Sequence, residues 1–188
     1  MELLDAIKTR RSVRSFLPDA ISDDIMTEIL QAGRLAPSAQ NRQCWRFVVV
    51  RDEELKQRLS KKSGLVGKIN FFIAKAPVII IAAADPKRSV KLNGQEYYLV
   101  DTAIAFQQMM LTAWNFGIGS CWLAAFNEQK VKDILAIPPN IRVVAMSPFG
   151  YPRESDTLYA KAVSFVAKSK KRMDLEEIVH YDVWGNKE

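Results

Sequence analysis

The sequence predicts a single α+β domain, and three observations carry that reading. Helical-period segments and short β-branched runs follow one another in mixed order, without the strict strand-and-helix alternation that builds a parallel α/β sheet. No internal repeat, Gly/Ser linker or low-complexity tract interrupts the chain, so residues 1–188 read as one unit. Hydrophobic residues make up 48% of the 188 and charged ones 26%, which is enough apolar volume for a core without disulfides or a structural metal.

Each element then has a local cause. Leu3, Leu4 and Ile7 suggest a short opening helix that runs into Arg10 to Phe16. Pro18 and Ser22-Asp23-Asp24 signal a turn and an N-cap, Ile25, Ile29 and Leu30 form the stripe of a second helix, and Pro37 ends it. Trp45 to Val50, β-branched and aromatic, is a strand, and Asp52-Glu53-Glu54 opens a charged surface helix to about Lys62. Pro77 to Ala84 has the composition of a buried strand. A long helix is expected from about Glu96 to Phe116, with Asp101, Gln108, Thr112 and Asn115 on one narrow stripe. The wide apolar arc that remains implies burial on several sides and a second chain across it. Gly117 and Gly119 stop this helix, Ser120 to Phe126 is extended, Asn127 caps a helix to Leu135, and Ile141 to Phe149 is the last clear strand. The tail holds a mixed stretch from Tyr159 to Ala167, a basic run, and an amphipathic piece from Asp174 to Tyr181.

The net charge of +6 suits an anionic partner, and where the charge sits says more than its sum. Arg10, Arg11 and Arg14 cluster near the start, and Lys168, Lys170, Lys171 and Arg172 near the end. A nucleic-acid-binding module would carry a basic stripe along one helix or sheet face instead, so no nucleic-acid partner is expected. The two cysteines, Cys44 and Cys121, and the single histidine, His180, do not make a metal-ligand set, and both cysteines read as ordinary buried thiols. No Gly-x-Ser-x-Gly elbow accompanies His180, which argues against a Ser-His-Asp hydrolase. Gly117-x-Gly119 lacks the third glycine of a dinucleotide fingerprint, and there is no phosphate-binding loop of the Gly-Lys-Ser/Thr kind. Trp114, Trp122 and Trp184 read as core or interface aromatics. The longest apolar stretch, Ala76 to Ala84, is under half of the ~20 residues of a membrane span, and no basic-then-apolar leader is seen, so a cytoplasmic protein away from membranes is expected.

What remains is a cationic, metal-free, phosphate-friendly site. Arg10-Arg11-Ser12-Val13-Arg14 offers guanidinium forks and a hydroxyl at the end of a helix; if the segment is extended, Arg10, Ser12 and Arg14 share a face. On spacing alone it is equally a solvated basic turn. Pro37 to Trp45 is dense in amide and hydroxyl groups able to grip a flat heteroaromatic edge, though it also reads as an ordinary helix-to-strand connection.

These segments resemble one family, the FMN-dependent nitroreductases. Arg10 to Arg14 is similar to its Arg-Arg-Ser-x-Arg motif, and Pro37 to Trp45 to its Pro-Ser-x-x-Asn-x-Gln-Pro-Trp loop, with Cys44 where proline is usual. Gly117 to Trp122 resembles its Gly-x-Gly-x-x-Trp segment, Gly150-Tyr151-Pro152 the end of its late strand, and the run through Arg172 its C-terminal phosphate cluster. The resemblance implies a nitroreductase-like fold, a central mixed and mostly antiparallel sheet flanked by helices, in an intertwined homodimer. A C-terminal extension of about 152–188 would wrap the partner subunit.

The resemblance also implies FMN as cofactor and ping-pong chemistry, in which hydride from NADH or NADPH passes through flavin N5 to a flat acceptor such as a nitroaromatic or quinone. The implied cofactor-binding residues are Arg10, Arg11, Ser12, Arg14, Lys170 and Arg172, then Pro37, Ser38, Asn41 and Gln43, then Cys121, Trp122, Leu123 and Ala124. No side chain is expected to be catalytic. A backbone N–H near Ala124 serves N5, because Ala124-Ala125 stands where larger members carry Glu-Gly. Their pyrimidine-edge Asn and Lys have no clear match; Lys68 and Asn70 are the nearest candidates. A specialised flavin enzyme of the family, dehalogenase or flavin-fragmenting, is the alternative. The dehalogenase pattern of Glu and, four residues later, Tyr is met here only by Glu96 and Val100.

Overall fold

A computed structural model of the chain describes residues 1–63, 71–153 and 172–187. The chain divides into two compact units, Met1–Asp156 and Thr157–Glu188. The first contains helices α1 (Leu3–Thr9), α2 (Asp23–Arg34), α3 (Glu53–Lys62), α4 (Tyr97–Asn115) and α5 (Glu128–Leu135). It also contains strands β1 (Trp45–Val50), β2 (Val78–Ala84), β3 (Lys91–Leu92), β4 (Gln95–Glu96), β5 (Gly119–Ser120) and β6 (Arg142–Gly150). The second unit holds one short helix, α6 (Leu175–Ile178), opened by a capping box between Asp174 and Glu177.

The main sheet runs β1-β2-β6-β5 with every strand pair antiparallel, and one parallel bridge, Ser12 to Ser120, adds the N-terminal segment at its edge. The expected α+β sheet, mostly antiparallel and flanked by helices, is therefore the observed one. All seven residues of β2 are buried, and their alternation sorts them into two cores. Ile79 and Ile81 join Leu59 of α3 and Val131 of α5 on one face; Val78, Ile80 and Ala82 meet Ile29 of α2 and Phe106 and Met109 of α4 on the other.

The predicted caps are in place. Ser22 Oγ accepts from Ile25 N–H at 3.4 Å, Asp52 from Leu55 N–H at 2.8 Å, and Asn127 from Lys130 N–H at 3.0 Å. Three features differ from the sequence reading. Helix α3 is not merely a surface helix, since Lys56 is buried and its ammonium donates to Ala76 and Pro77 carbonyls at 2.8 and 3.2 Å while pairing with Glu53. A hairpin, β3 and β4, precedes α4, built on Asn93-Gly94 with φ of 51° and 76°; the Asn-Gly pair was its overlooked signal. Trp184 is no core residue: it stands 90% exposed in the second unit beside His180. Lys68, Asn70, Tyr159 to Ala167, Lys168, Lys170 and Lys171 lie outside the described residues. No helix among the described residues is long and apolar enough to cross a membrane.

Helix α5 is tied to β6 by Glu128. Its carboxylate accepts from Arg142 Nε at 2.9 Å and from Val143 N–H at 2.9 Å, with Lys132 at 3.2 Å. Burial by itself raises the Glu128 pKa, but these donors outweigh it and hold the value down to about 2, from an ordinary 4.5. A carboxyl depressed in the folded state adds stability above its unfolded pKa and loses it as the pH falls through the folded one. Replacing Glu128 with Gln should thus cost about 2 kcal/mol at neutral pH. Urea unfolding of both proteins should show that difference shrinking between pH 4.5 and 2.

Candidate functional site

The N-terminal arginine segment becomes a surface because α1 stops at Arg10, which leaves the helix at φ −55°, ψ 129°. The chain then runs extended along β5, with Val13 N–H donating to the Ser120 carbonyl at 2.9 Å. Val13 is buried against Gly119, where a Cβ would sit 2.5 Å from a Val13 methyl. Gly119 is therefore required by close approach, whereas Gly117, at φ +74°, supplies the left-handed turn out of α4. With Val13 turned inward, Ser12 and Arg14 take the opposite face and are half-buried, as is Arg10, while Arg11 is exposed.

This face gathers around Cys121. Burial raises the Cys121 thiol pKa, partly offset by the charge of Arg14, a hydrogen bond from Ser12 and the charge of Arg10. Ser12 bridges Ser120, the residue before Cys121, so the face that Arg10, Ser12 and Arg14 share in the extended segment runs beside the start of the 120–126 stretch. Cys121 N–H donates to Ser147 Oγ at 3.0 Å, and Leu123 exchanges both of its backbone hydrogen bonds with Met146 at 2.9 and 3.0 Å. By strand alternation, the N–H of Ala124 projects away from β6, and the Ala124 and Ala125 side chains are exposed. The Trp122 ring packs on Phe106 at 5.4 Å, which leaves its main chain nearer to this surface.

The Pro37 to Trp45 loop is a second built feature. Gln40, Asn41 and Gln43 all have left-handed φ, 53°, 53° and 49°, which non-glycine residues adopt only where surroundings impose it. Ser38 Oγ accepts from Gln43 N–H at 3.0 Å, and Gln43 Nε2 donates to Asn41 Oδ1 at 2.9 Å. Pro37, Asn41 and Gln43 are exposed and Ser38 half-buried. Beneath them lies a group the sequence reading placed only on a polar stripe: Asp101 of α4, buried, accepts from Ala39 N–H at 3.0 Å and from the Cys44 thiol at 3.9 Å. Its signal was a lone acid in the otherwise apolar first turns of α4. Burial, then the Asp101 charge, raise the Cys44 thiol pKa, so Cys44 is an inert buried thiol.

Within one chain the two features are far apart. Trp45, just after the loop, is level with Ala84 and through it with Arg142, whereas Ser120 pairs with Phe149 near the other end of β6. That is roughly 20 Å along the strand at ~3.3 Å per residue. Arg172 is exposed and belongs to the second unit.

The donor set suits a phosphorylated planar group: guanidinium and hydroxyl donors on one face, a projecting main-chain N–H and small side chains beside them. Comparison with known proteins identifies the family. The profile described as "Nitroreductase family" matches residues 7–66 and 63–151. An Archaeoglobus fulgidus protein named "Putative NADH dehydrogenase/NAD(P)H nitroreductase" is 36% identical over 162 residues, 84% of this chain and 90% of that one. The crystal structure of a nitroreductase family protein from Clostridium novyi NT superposes with a TM-score of 0.78 at 35% identity, covering 99% of this chain and 96% of the other. The FMN reductase of Bacillus subtilis, whose name gives NAD(P)H as donor, is 24% identical over 204 residues, spanning 100% of this chain and 76% of its own. With the profile running from the arginine segment to the last strand, and with such identity over most of both chains, the chain belongs to the nitroreductase family.

Proposed function

We propose that the protein is an NAD(P)H-dependent FMN oxidoreductase that reduces a flat acceptor, a nitroaromatic or a quinone, and that it works as a homodimer. The observation that carries this reading is the extended Arg10 to Arg14 segment lying along β5, with Ser12 bridged to Ser120 and Val13 turned inward so that Ser12 and Arg14 take the other face. The names of the relatives in Archaeoglobus and Bacillus support the cofactor and the donor. FMN, when bound, would supply the redox chemistry that links hydride from NADH or NADPH to reduction of the acceptor.

The chain's own residues bind and tune. Arg10 and Ser12, with Arg172 and with Arg11 and Lys170 as weaker contributors, hold the phosphate through charge-assisted hydrogen bonds. Arg14 would supply positive charge to the pyrimidine edge of the flavin, favouring its reduced form, and the Ala124 N–H would donate to N5. Cys121, Trp122 and Leu123 form the backbone wall between them, with Cys121 and Leu123 anchored to β6.

Pro37, Ser38, Asn41 and Gln43 complete the site from the neighbouring chain. The ~20 Å between this loop and the arginine face in one chain is the reason. Leu99, Val100 and Ile104 of α4 are 45%, 46% and 38% exposed in the single chain, and Leu3, Leu4 and Ile7 of α1 are exposed too. That apolar surface is more than a monomer leaves to water, and a second copy covers it. The extension of about 152–188 wraps the partner in this reading. The cell interior, where NAD(P)H is available, is the proposed compartment.

Purified protein reconstituted with FMN should show the absorption of bound oxidised flavin, bleached by NADH or NADPH; a protein that takes up no FMN would remove the proposal. Arg10→Ala should weaken FMN binding by about 2 kcal/mol, roughly 30-fold, as read by quenching of flavin fluorescence. Sedimentation equilibrium should return twice the 21.3 kDa chain mass at micromolar concentration. A flavin-loaded monomer would refute the shared site.

A further inference from the structure

We infer that Asp101 is the positioning residue of the site: buried in α4, it holds both ends of the strained Ser38 to Cys44 loop and so sets the face that this loop offers to the cofactor. The inference rests on the reading above for the loop's ligand, but its structural half stands on the bonds alone.

Three left-handed residues, Gln40, Asn41 and Gln43, make this loop unstable as an isolated turn. Most of the bonds that shape it are internal. Asn41 N–H donates to the Ser38 carbonyl at 2.9 Å, Arg42 N–H to the Ala39 carbonyl at 3.2 Å, and Gln43 N–H to Ser38 Oγ at 3.0 Å. Internal bonds give the loop its shape but do not say where that shape is held. Its placement comes from contacts outside it, beginning with Arg46 Nη1, which donates to the Gln43 carbonyl at 3.3 Å from the start of β1. Asp85 N–H donates to the Cys44 carbonyl at 2.9 Å, and Asp101 accepts from Ala39 at one end and from the Cys44 thiol at the other. Asp101 is 3% exposed, so its carboxylate depends on these donors in place of water, and the geometry is correspondingly stiff. The buried hydroxyls of Ser89 and Thr102 flank the same thiol.

The carboxylate also sits on the element that leads to this chain's own arginine face, so it links the loop given to the neighbouring chain's site with the wall of its own. Helix α4 starts beside the loop and ends at the Gly117 turn into Gly119 and Ser120, which pair with β6 next to the arginine face. A single rigid helix, ~1.5 Å per residue, therefore carries both the loop's anchor and the base of the flavin wall.

The test compares Asp101→Ala, Asp101→Asn and Cys44→Ala with the wild type. It reads FMN affinity, the hydrogen exchange of the Ala39 amide, and global stability in urea. Asp101→Ala should release the Ala39 amide to rapid exchange and raise the Kd for FMN at least tenfold. Asp101→Asn keeps a carbonyl oxygen for Ala39 N–H and should restore both Ala39 protection and FMN affinity to within about threefold of wild type. A merely stabilising role would instead move urea stability in step across the variants with no such recovery of affinity. Cys44→Ala, which leaves the Ala39 bond intact, should cost only a few-fold in affinity.

Unchanged Ala39 exchange and unchanged FMN affinity in Asp101→Ala would overturn the inference, as would an Asp101→Asn protein that binds no better than the Ala variant. Should Asp101→Ala fail to fold, Asp101→Leu, of the same size but without an acceptor, takes its place: wild-type protection of Ala39 in it contradicts the assignment, and rapid exchange there with protection kept in Asp101→Asn supports it. If wild type itself binds no FMN, the functional reading falls, while Ala39 exchange still judges Asp101.

Discussion

Burial of β2 on both faces is the constraint from which the rest of the structure follows. A strand of Val, Ile and Ala with no polar side chain needs a hydrophobic layer above and below. The chain meets this by placing α3 and α5 on one side and α2 and α4 on the other. The antiparallel partners β1 and β6 satisfy its backbone, so the central ladder leaves no free edge at β2. Among the described residues the outer strands of the sheet are β1 and β5, and it is along β5 that the N-terminal segment lies down.

That docking converts a basic stretch into a site. Val13 fills the space left by the missing Cβ of Gly119, so the alternation of an extended chain turns Ser12 and Arg14 the other way. The segment is held at the sheet edge by the Val13 N–H bond to the Ser120 carbonyl and the bridge from Ser12 to Ser120, which sets its outward face beside Cys121. Other cations serve the cohesion of the fold: Lys56 bonds the Ala76 and Pro77 carbonyls and pairs with Glu53, and Arg142 pairs with Glu128.

The loop between α2 and β1 shows a complementary strategy. Strained residues are placed on a polar turn and their strain is borne by a buried carboxylate beneath. An exposed loop with such conformations would relax without that anchor, because each left-handed residue costs of order 1 kcal/mol or more. The outer face of α4, next to the anchor, carries Leu99, Val100 and Ile104, each partly exposed, which is why the helix reads as apolar almost all round.

Much of this was legible in the residues. Ser22, Asp52 and Asn127 announced three helix starts because capping is a local hydrogen bond between a side chain and an amide two or three residues on. The buried character of β2 and the extended Arg10 to Arg14 segment were likewise local, matters of composition and period. The sequence by itself thus determined the elements, the fold class and the motifs that carry the family resemblance. It could not place Asp101, since a carboxylate 62 positions from Ala39 becomes its partner only when α4 packs beneath the loop. Nor could it say that Lys56 would be buried, that Gly119 serves Val13, or that the loop and the arginines stand at opposite ends of one sheet. Those were decided by tertiary structure alone, because burial, close approach and separation are set by which surfaces meet, and a linear pattern fixes only which surfaces exist.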